Sequence, residues 1–205
     1  MTGKTGRDNI LDIMSHDNPN RKNLELTDGR VLLRPYRSDD IKSLYQAVRE
    51  SIKELSVWLP FAHKGYSIKE SRDWVKKRPK EWKKGTNYDF AIFDARDGLY
   101  LGGCGLNGIN KVDKHANLGY WVRTDRTGHG VAPAATLLLA RWGFEVLKLN
   151  RIEILVAIEN QHSLRVAEKA GAKREGVLRN RITIRDKVHD AVMHSLIPGD
   201  MAKPT

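Results

Sequence analysis

The sequence predicts an α/β domain in which helices alternate with the strands of a single sheet. Three observations carry this. Apolar residues recur at helical spacing in Ile41, Leu44, Tyr45 and Val48, and again from Val131 to about Leu147. Short β-branched or aromatic runs separate the helical stretches. Turn clusters rich in Gly, Asn and Asp punctuate the chain between them. At 205 residues, 40% hydrophobic and 30% charged, the chain has material for one core and is too apolar for wholesale disorder.

The elements follow in order. Residues 1–23 read as a polar extension, punctuated by Asp17-Asn18-Pro19-Asn20, with one short helix around Ile10–Met14. The domain is expected over 24–197, with a tail over 198–205. After the turn Thr27-Asp28-Gly29, Val31–Arg34 forms a strand, and Ser38-Asp39-Asp40 starts a helix. A second helix spans Ile68 to about Lys84, with Trp74 and Trp82 among lysines. Strands follow at Tyr88–Phe93, Tyr100–Leu106 and Ala116–Val122, the last reached through the polar turn Asn110–Lys114. The long helix ending near Leu147 leads to Ile152–Ile158, apolar on both faces and suited to a central strand. Ser163–Ala170 is a helix closed by Gly171. Strands Val177–Ile184 and Val188–Ile197 flank Arg185-Asp186-Lys187. There is no internal repeat and no second domain.

The chain carries a net charge of +11. Residues 64–84 hold nine basic against three acidic residues, and residues 165–187 hold eight against three. Such surfaces attract phosphorylated cofactors, RNA or acidic proteins; the plain alternative is a solvated face. No apolar run approaches the ~18 residues of a membrane span. No h-region follows Met1, so no secretory signal is expected. The single cysteine, Cys104, fits a reducing, cytoplasmic setting.

The most informative motif joins a strand to a helix: Thr127-Gly128-His129-Gly130-Val131-Ala132. Two glycines let backbone turn sharply and approach a ligand. The free amides of a helix start then favour an anion. Pro133 suits an early helical position. The Gly-Lys-Ser/Thr of a Walker loop is absent, and Pro133 stands where a dinucleotide fingerprint needs its third glycine. A plain structural turn is the alternative.

The wider context resembles the GNAT superfamily of acyl-CoA-dependent N-acetyltransferases over roughly residues 24–197. The matching stretches are Asn117-Leu118-Gly119-Tyr120-Trp121-Val122, the glycine turn, Ile158-Glu159-Asn160-Gln161-His162-Ser163 and Ala167-Glu168-Lys169-Ala170-Gly171-Ala172. Three further segments are similar to the ribosomal-protein N-terminal (Rim-type) acetyltransferases: Val31-Leu32-Leu33-Arg34-Pro35-Tyr36, Val57-Trp58-Leu59-Pro60-Phe61 and Glu175-Gly176-Val177-Leu178. The resemblance implies a mixed central sheet flanked by helices and splayed between its fourth and fifth strands, those of Trp121 and Ile158. It implies acetyl-CoA as co-substrate, its pyrophosphate on Thr127, Gly128, His129, Gly130, Val131 and Ala132. The pantetheine arm would meet Trp121, Val122 and Asn160. Two departures stand out. Thr127 replaces a common Gln or Arg, with Arg126 one place early. Asn117 replaces a frequent Glu, and an amide takes up no proton.

The implied chemistry is aminolysis of a thioester. The Val122 N–H would stabilise the developing oxyanion. Ser163 would protonate or hydrogen-bond the leaving thiolate, or simply cap its helix. Trp58, Phe61 and Tyr66 would wall the acceptor site, or else pack in the core, and Asn117 would also meet the acceptor. Cys104, between glycines, reads as a small buried residue. His189 and His194 should face opposite sides of a strand, and no ligand spacing indicates a metal.

The expected acceptor is the α-amine of a ribosomal or ribosome-associated protein, with the basic surfaces contacting rRNA or an acidic partner. Those surfaces argue against polycationic acceptors. The alternatives are a small amine, such as an antibiotic or aminoacyl compound, and a non-catalytic RNA- or ribosome-binding relative. A monomer or homodimer without membrane contact is expected.

Overall fold

Residues 24–201 are described by the structure, a computed structural model. The helix expected around Ile10–Met14, the rest of the extension and residues 202–205 lie outside them.

Strands β1 (Leu26–Thr27) and β2 (Val31–Pro35) are joined by a turn in which the Asp28 carboxylate accepts the Arg30 and Val31 amides. Helix α1 (Asp40–Glu50) is anchored through its own first residue. Asp40 is buried, accepts the Arg37 amide at 2.7 Å and takes both Arg34 guanidinium nitrogens at 2.8 and 2.6 Å. A short helix α2 (Ile52–Trp58) follows; it escapes the sequence reading because it buries only Leu55. Helix α3 (Ile68–Lys84) opens with a capping box between Ser67 and Glu70 and ends at Gly85, whose φ of +65° is left-handed.

Strands β3 (Tyr88–Asp94), β4 (Tyr100–Asn110) and β5 (His115–Val122) form an antiparallel meander. A turn leads to α4 (Val131–Glu145), then β6 (Arg151–Ala157), α5 (Gln161–Lys169) and the hairpin β7 (Lys173–Ile184) and β8 (Lys187–Leu196). The eight strands make one sheet ordered β1-β2-β3-β4-β5-β6-β8-β7, with β5–β6 its parallel pair.

Strand parity divides the core. Phe90 and Ile92 pack with α4, whereas Ala91 and Phe93 pack with α1 and α3. In β6, Ile152, Ile154 and Val156 are buried, while Glu153 and Leu155 are only half-buried. β6 is the central strand expected, between β5 and β8, but its burial is one-sided. Strand β7 begins before Val177, at Lys173, because Lys173 and Arg174 pair with Ser195 and His194 ahead of a bulge. Its exposed, charged face hides that segment from a hydrophobicity reading. Residues 198–201, expected as tail, form a 3₁₀ turn that sets Met201 against the core.

The pairing of β5 with β6 covers only His115–Arg151, Ala116–Ile152 and Asn117–Glu153. Beyond it, Leu118–Val122 and Ile154–Ala157 diverge. This is the expected splay. One device ties β6, β8 and β7 to one another, and a second ties that half of the sheet to the other. At the closed end, Arg151 on β6 grips Glu175 on β7 at 2.7 and 2.5 Å, while Ser195 on β8 donates to Glu175 at 2.6 Å. At the open end, Arg185 in the β7–β8 turn donates to the carbonyls of Ser56 and Ala62 at 3.0 and 2.7 Å. Arg185 and Asp186 both have positive φ, 48° and 65°, as a two-residue hairpin turn requires.

Candidate active site

The splay exposes backbone. The Arg123 amide donates to the Leu101 carbonyl at 2.8 Å, so Arg123 faces β4. Successive residues of a strand alternate sides, so the N–H and C=O of Val122, and of Tyr120 two before it, turn toward the gap. They lie past the last β5–β6 pair and have no ladder partner across it. The strand end is fixed from below: the Thr124 amide donates to the buried Ser51 hydroxyl at 2.9 Å, and Arg123 pairs with Glu50 at 2.6 Å.

Ser163 stands on the far side of the gap, in the first turn of α5. The cap of that helix is Asn160, whose side-chain oxygen accepts the Ser163 amide at 3.1 Å. The alternative that Ser163 itself caps the helix is thereby corrected, and its hydroxyl is free for another partner. That partner is Tyr120: its hydroxyl lies 3.0 Å from Ser163 Oγ and donates to the Ser163 carbonyl at 3.0 Å. Burial pushes the Tyr120 phenol up to about 12, against the bond from Ser163. The remaining polar group of the Asn160 side chain is its NH₂.

The glycine turn lies at the mouth of the same gap. Gly128 and Gly130 have φ of +80° and +77°, and Gly130 is the N-cap of α4. Thr127, Gly128, His129 and Gly130 are exposed, with Arg126 beside them in a short 3₁₀ turn. A Cβ on Gly128 would meet nothing within 4 Å, so the turn borders open space. The Thr127 hydroxyl is committed to the Thr124 carbonyl at 2.8 Å, and His129 Nδ1 lies 2.8 Å from the Thr127 carbonyl. Neither side chain competes for the amides at the start of α4, Val131 and Ala132. Against Gly130 lies a second cavity of about 460 Å³ carrying Arg30, Arg141 and Lys169 beside Asp28. These cations, scattered in sequence, gave no motif. The free amides, positive side chains and open space fit a phosphorylated ligand.

On the α1 and α3 side of β5 lies a cavity of about 290 Å³. Gly103, Gly105 and Gly119 form part of its lining. Side chains on the first two would collide with the Tyr36 hydroxyl and the Asp89 carboxylate. Phe61, Tyr66 and Trp121 line it as well, with Phe61 and Trp121 ring centroids 6.3 Å apart. Two expected acceptor residues do not. Trp58 turns to His189, 6.4 Å between ring centroids, at the rim of the β7–β8 hairpin. Asn117 donates to Asn107 at 3.1 Å, and Asn107 reaches the cavity in its stead.

Sequence reasoning missed Tyr36, Trp74, Asp89 and Tyr120. Parity would have found Tyr120, since Trp121 and Tyr120 must face opposite sides of β5. Asp89 had a signal too, a carboxylate inside the apolar run Tyr88–Phe93. It is paired with Arg78, yet burial raises its pKa. Cys104 also borders the cavity, but burial pushes its thiol far up, away from the thiolate form.

Comparison with known proteins agrees with this geometry. Residues 30–173 match the family described as Acetyltransferase (GNAT) domain. The Bacillus subtilis (strain 168) protein named "Putative ribosomal N-acetyltransferase YdaF" is 28% identical over 170 residues, 82% of this chain and 91% of that protein. A solved Vibrio cholerae structure described as a putative ribosomal-protein-serine acetyltransferase is 27% identical, with a TM-score of 0.76 over 86% of this chain and 99% of that one. RimL, described as a ribosomal L7/L12 alpha-N-protein acetyltransferase in complex with coenzyme A, shares the fold at a TM-score of 0.74 and 21% identity, over 87% of this chain and 100% of its own. The chain belongs to the GNAT acetyltransferase family and is an acyltransferase.

Proposed function

We propose that this enzyme moves the acetyl group of acetyl-CoA to the α-amine of a protein N-terminus, on a ribosomal or ribosome-associated protein. The observation that carries the reading is the β5–β6 gap, bridged by the Tyr120–Ser163 contact and bordered by the aromatic cavity. The names of the relatives supply the acceptor class.

The co-substrate would supply a thioester, a carbonyl already activated toward amines. The chain's own groups do the rest. The amides from Thr127 to Ala132, at the start of α4, hold the pyrophosphate, with Arg126 alongside. The gap-facing groups of Val122, flanked by Trp121, and the Asn160 NH₂ hold the arm. The Val122 N–H donates to the oxygen that becomes negative as the amine attacks. Ser163 Oγ–H donates to the departing sulfur, and Tyr120 holds that hydroxyl in place. Phe61 and Tyr66 exclude water from the acceptor side.

Mass spectrometry of free-N-terminus peptides incubated with the protein and acetyl-CoA tests the reading. A gain of one acetyl group at the first residue is expected. Absence of transfer to every amine offered, with acetyl-CoA binding intact, would overturn it.

A further inference from the structure

The 290 Å³ cavity is slightly below the ~300–1,000 Å³ of pockets that hold whole small molecules. It is sized for one side chain or a short chain of methylenes. Its walls are the faces and edges of Tyr36, Tyr66, Trp74 and Trp121. Among the described residues that line it, the charged ones are Glu70 and Asp89; no lysine, arginine or histidine takes part. That is the reverse of the chain as a whole, which carries 36 basic residues against 25 acidic.

The carboxylates are not fully neutralised from behind. Arg78 is the one guanidinium beneath Asp89, and it serves two carboxylates, Asp89 through Nη1 and Glu81 through Nη2. Arg78 also lies over the Trp74 ring, 4.1 Å from its centroid. Glu70 bonds His63 and the Ser67 cap rather than a permanent cation. Aromatic faces beside carboxylates that share one guanidinium, or that lack a permanent cation, attract an ammonium or guanidinium group.

Resting on the acceptor reading above, we infer that this cavity selects acceptors bearing a second cationic group a few bonds from the amine that reacts, with Asp89 and Glu70 as its anchors. The reacting amine sits at the gap beside Trp121 and Gly119. Asp89 lies two strands away, on β3, and adjacent strands are ~4.8 Å apart. An arginine or lysine side chain at the first position covers most of that distance, and a charge-assisted hydrogen bond of ~2.8 Å to the carboxylate covers the rest; a free 1,4-diamine is one bond shorter than lysine and reaches less far. Of the chain's basic residues, Arg78 lies against Asp89 and its neighbours on α3 oppose a cation locally, whereas charges beyond the ~8 Å Debye length are screened at physiological salt.

The test uses tripeptides with free N-termini that differ only in the first residue, Lys, Met or Glu, together with 1,4-diaminobutane. kcat/KM is measured, fragment spectra assign the acetylated nitrogen, and calorimetry with CoA present reports the binding of lysinamide against methioninamide. The Lys peptide should exceed the Met peptide by about tenfold, the size of a desolvated cation–aromatic contact, and the Glu peptide should be the poorest. Asp89→Asn should bring Lys and Met to within about twofold. Because that change exposes Arg78 to loss of its partner, Glu70→Gln is the second variant. Glutamine keeps the capping box, and the preference should still fall several-fold. Equal rates for Lys and Met, or a preference untouched in both variants, overturn the inference while leaving acetyl transfer standing. Selective lysinamide binding without any acetyl transfer supports the cavity and overturns the transferase reading instead. Whichever of the Lys peptide and the diamine is the better substrate identifies the source of the cation.

Discussion

The Tyr120 hydroxyl meets two groups of one residue, Ser163 Oγ at 3.0 Å and the Ser163 carbonyl at 3.0 Å. Tyr120 has one proton to give, so one of these contacts must be made by the serine's own hydrogen. If Tyr120 donates to the carbonyl, Ser163 Oγ–H points at Tyr120 until a stronger acceptor arrives. A thiolate is such an acceptor. Ser163→Ala should lower kcat by about 10–100-fold with little change in acetyl-CoA affinity. Tyr120→Phe should lower kcat by less, and the double variant should be no worse than Ser163→Ala, because both act through one hydroxyl. With Tyr120 held near 12, it stays protonated through pH 9, so no kinetic limb below that pH belongs to it. Stopped-flow or coupled assays with calorimetry decide the matter. A normal kcat in Ser163→Ala would remove the serine from the chemistry.

Gly130→Glu should abolish acetyl-CoA binding. Gly130 has φ of +77°, so any side chain there adds strain of about 1–3 kcal/mol, and the melting temperature should drop. The carboxylate adds a separate effect. A Cβ at this position lies 3.9 Å from Arg30 Nη1, so the new charge would be drawn toward Arg30, beside the turn where phosphate is expected. Gly130→Ala carries the strain without the charge and separates the two. Calorimetry should show measurable binding for alanine and none for glutamate. Equal binding by glutamate in a folded protein would make the turn purely structural.

The sequence made the sheet legible because its helices and strands have distinct hydrophobic periods, and the strand before the glycine turn aligned residues 117–122 with the gap. What it concealed is informative. Asn160 rather than Ser163 caps α5, a matter of which side chain reaches the first turn, and both are good capping types. Trp58 and Phe61 are three residues apart, yet only Phe61 reaches the cavity, because Trp58 ends α2 and faces the returning hairpin. Arg185 closes the open end by contacts to Ser56 and Ala62, residues far away in sequence. No local pattern encodes such long-range contacts.

Gly119→Val should damage acceptor use alone. Gly119 borders the cavity, and a Cβ there meets only Asn107 Nδ2, at 4.0 Å, so the fold has room for a side chain. The valine methyls would instead occupy acceptor volume. KM for the peptide should rise or kcat/KM fall by about tenfold, while acetyl-CoA affinity and melting temperature stay near wild type. An unchanged peptide kcat/KM would mean that the acceptor enters elsewhere.

Acid should loosen the closed end of the sheet. Arg151, with Ser195, holds the Glu175 carboxyl down at about 2, below the ordinary value of 4.5. A depressed carboxylate adds stability above its unfolded pKa and loses it as pH falls through the folded one. Wild type should therefore be more stable than Glu175→Gln by a constant margin from pH 7 to about 5, and the margin should shrink from about 4.5 down toward 2. Glu175 is partly exposed, so the margin itself should be modest. Melting temperatures of both proteins across that range read it directly. A margin that persists undiminished to pH 2 would assign the effect to packing rather than to the ion pair.

Substrate ionisation should dominate the pH dependence of turnover. Asn117 donates to Asn107 and takes up no proton, so the strand position where a carboxylate base is common offers none. Asp89 is paired with Arg78, and Glu70 is held below its usual range by His63 and Ser67. An α-amine with a pKa near 7.8 is roughly 14% neutral at pH 7, whereas a lysine amine near 10.4 is about 0.04% neutral. Without a strong base, the α-amine has the far larger reactive fraction. Paired peptides test this, one with a free N-terminus and one N-blocked with an internal lysine. The free N-terminus should react much faster, and below pH 8 its kcat/KM should follow the neutral-amine fraction, rising close to tenfold per unit below about pH 7 and about fourfold from pH 7 to 8. Faster acetylation of the internal lysine, or an additional enzyme pKa near 6 in the profile, would reveal a dedicated base. Asp89, whose pKa burial already raises, would then be the first residue to replace.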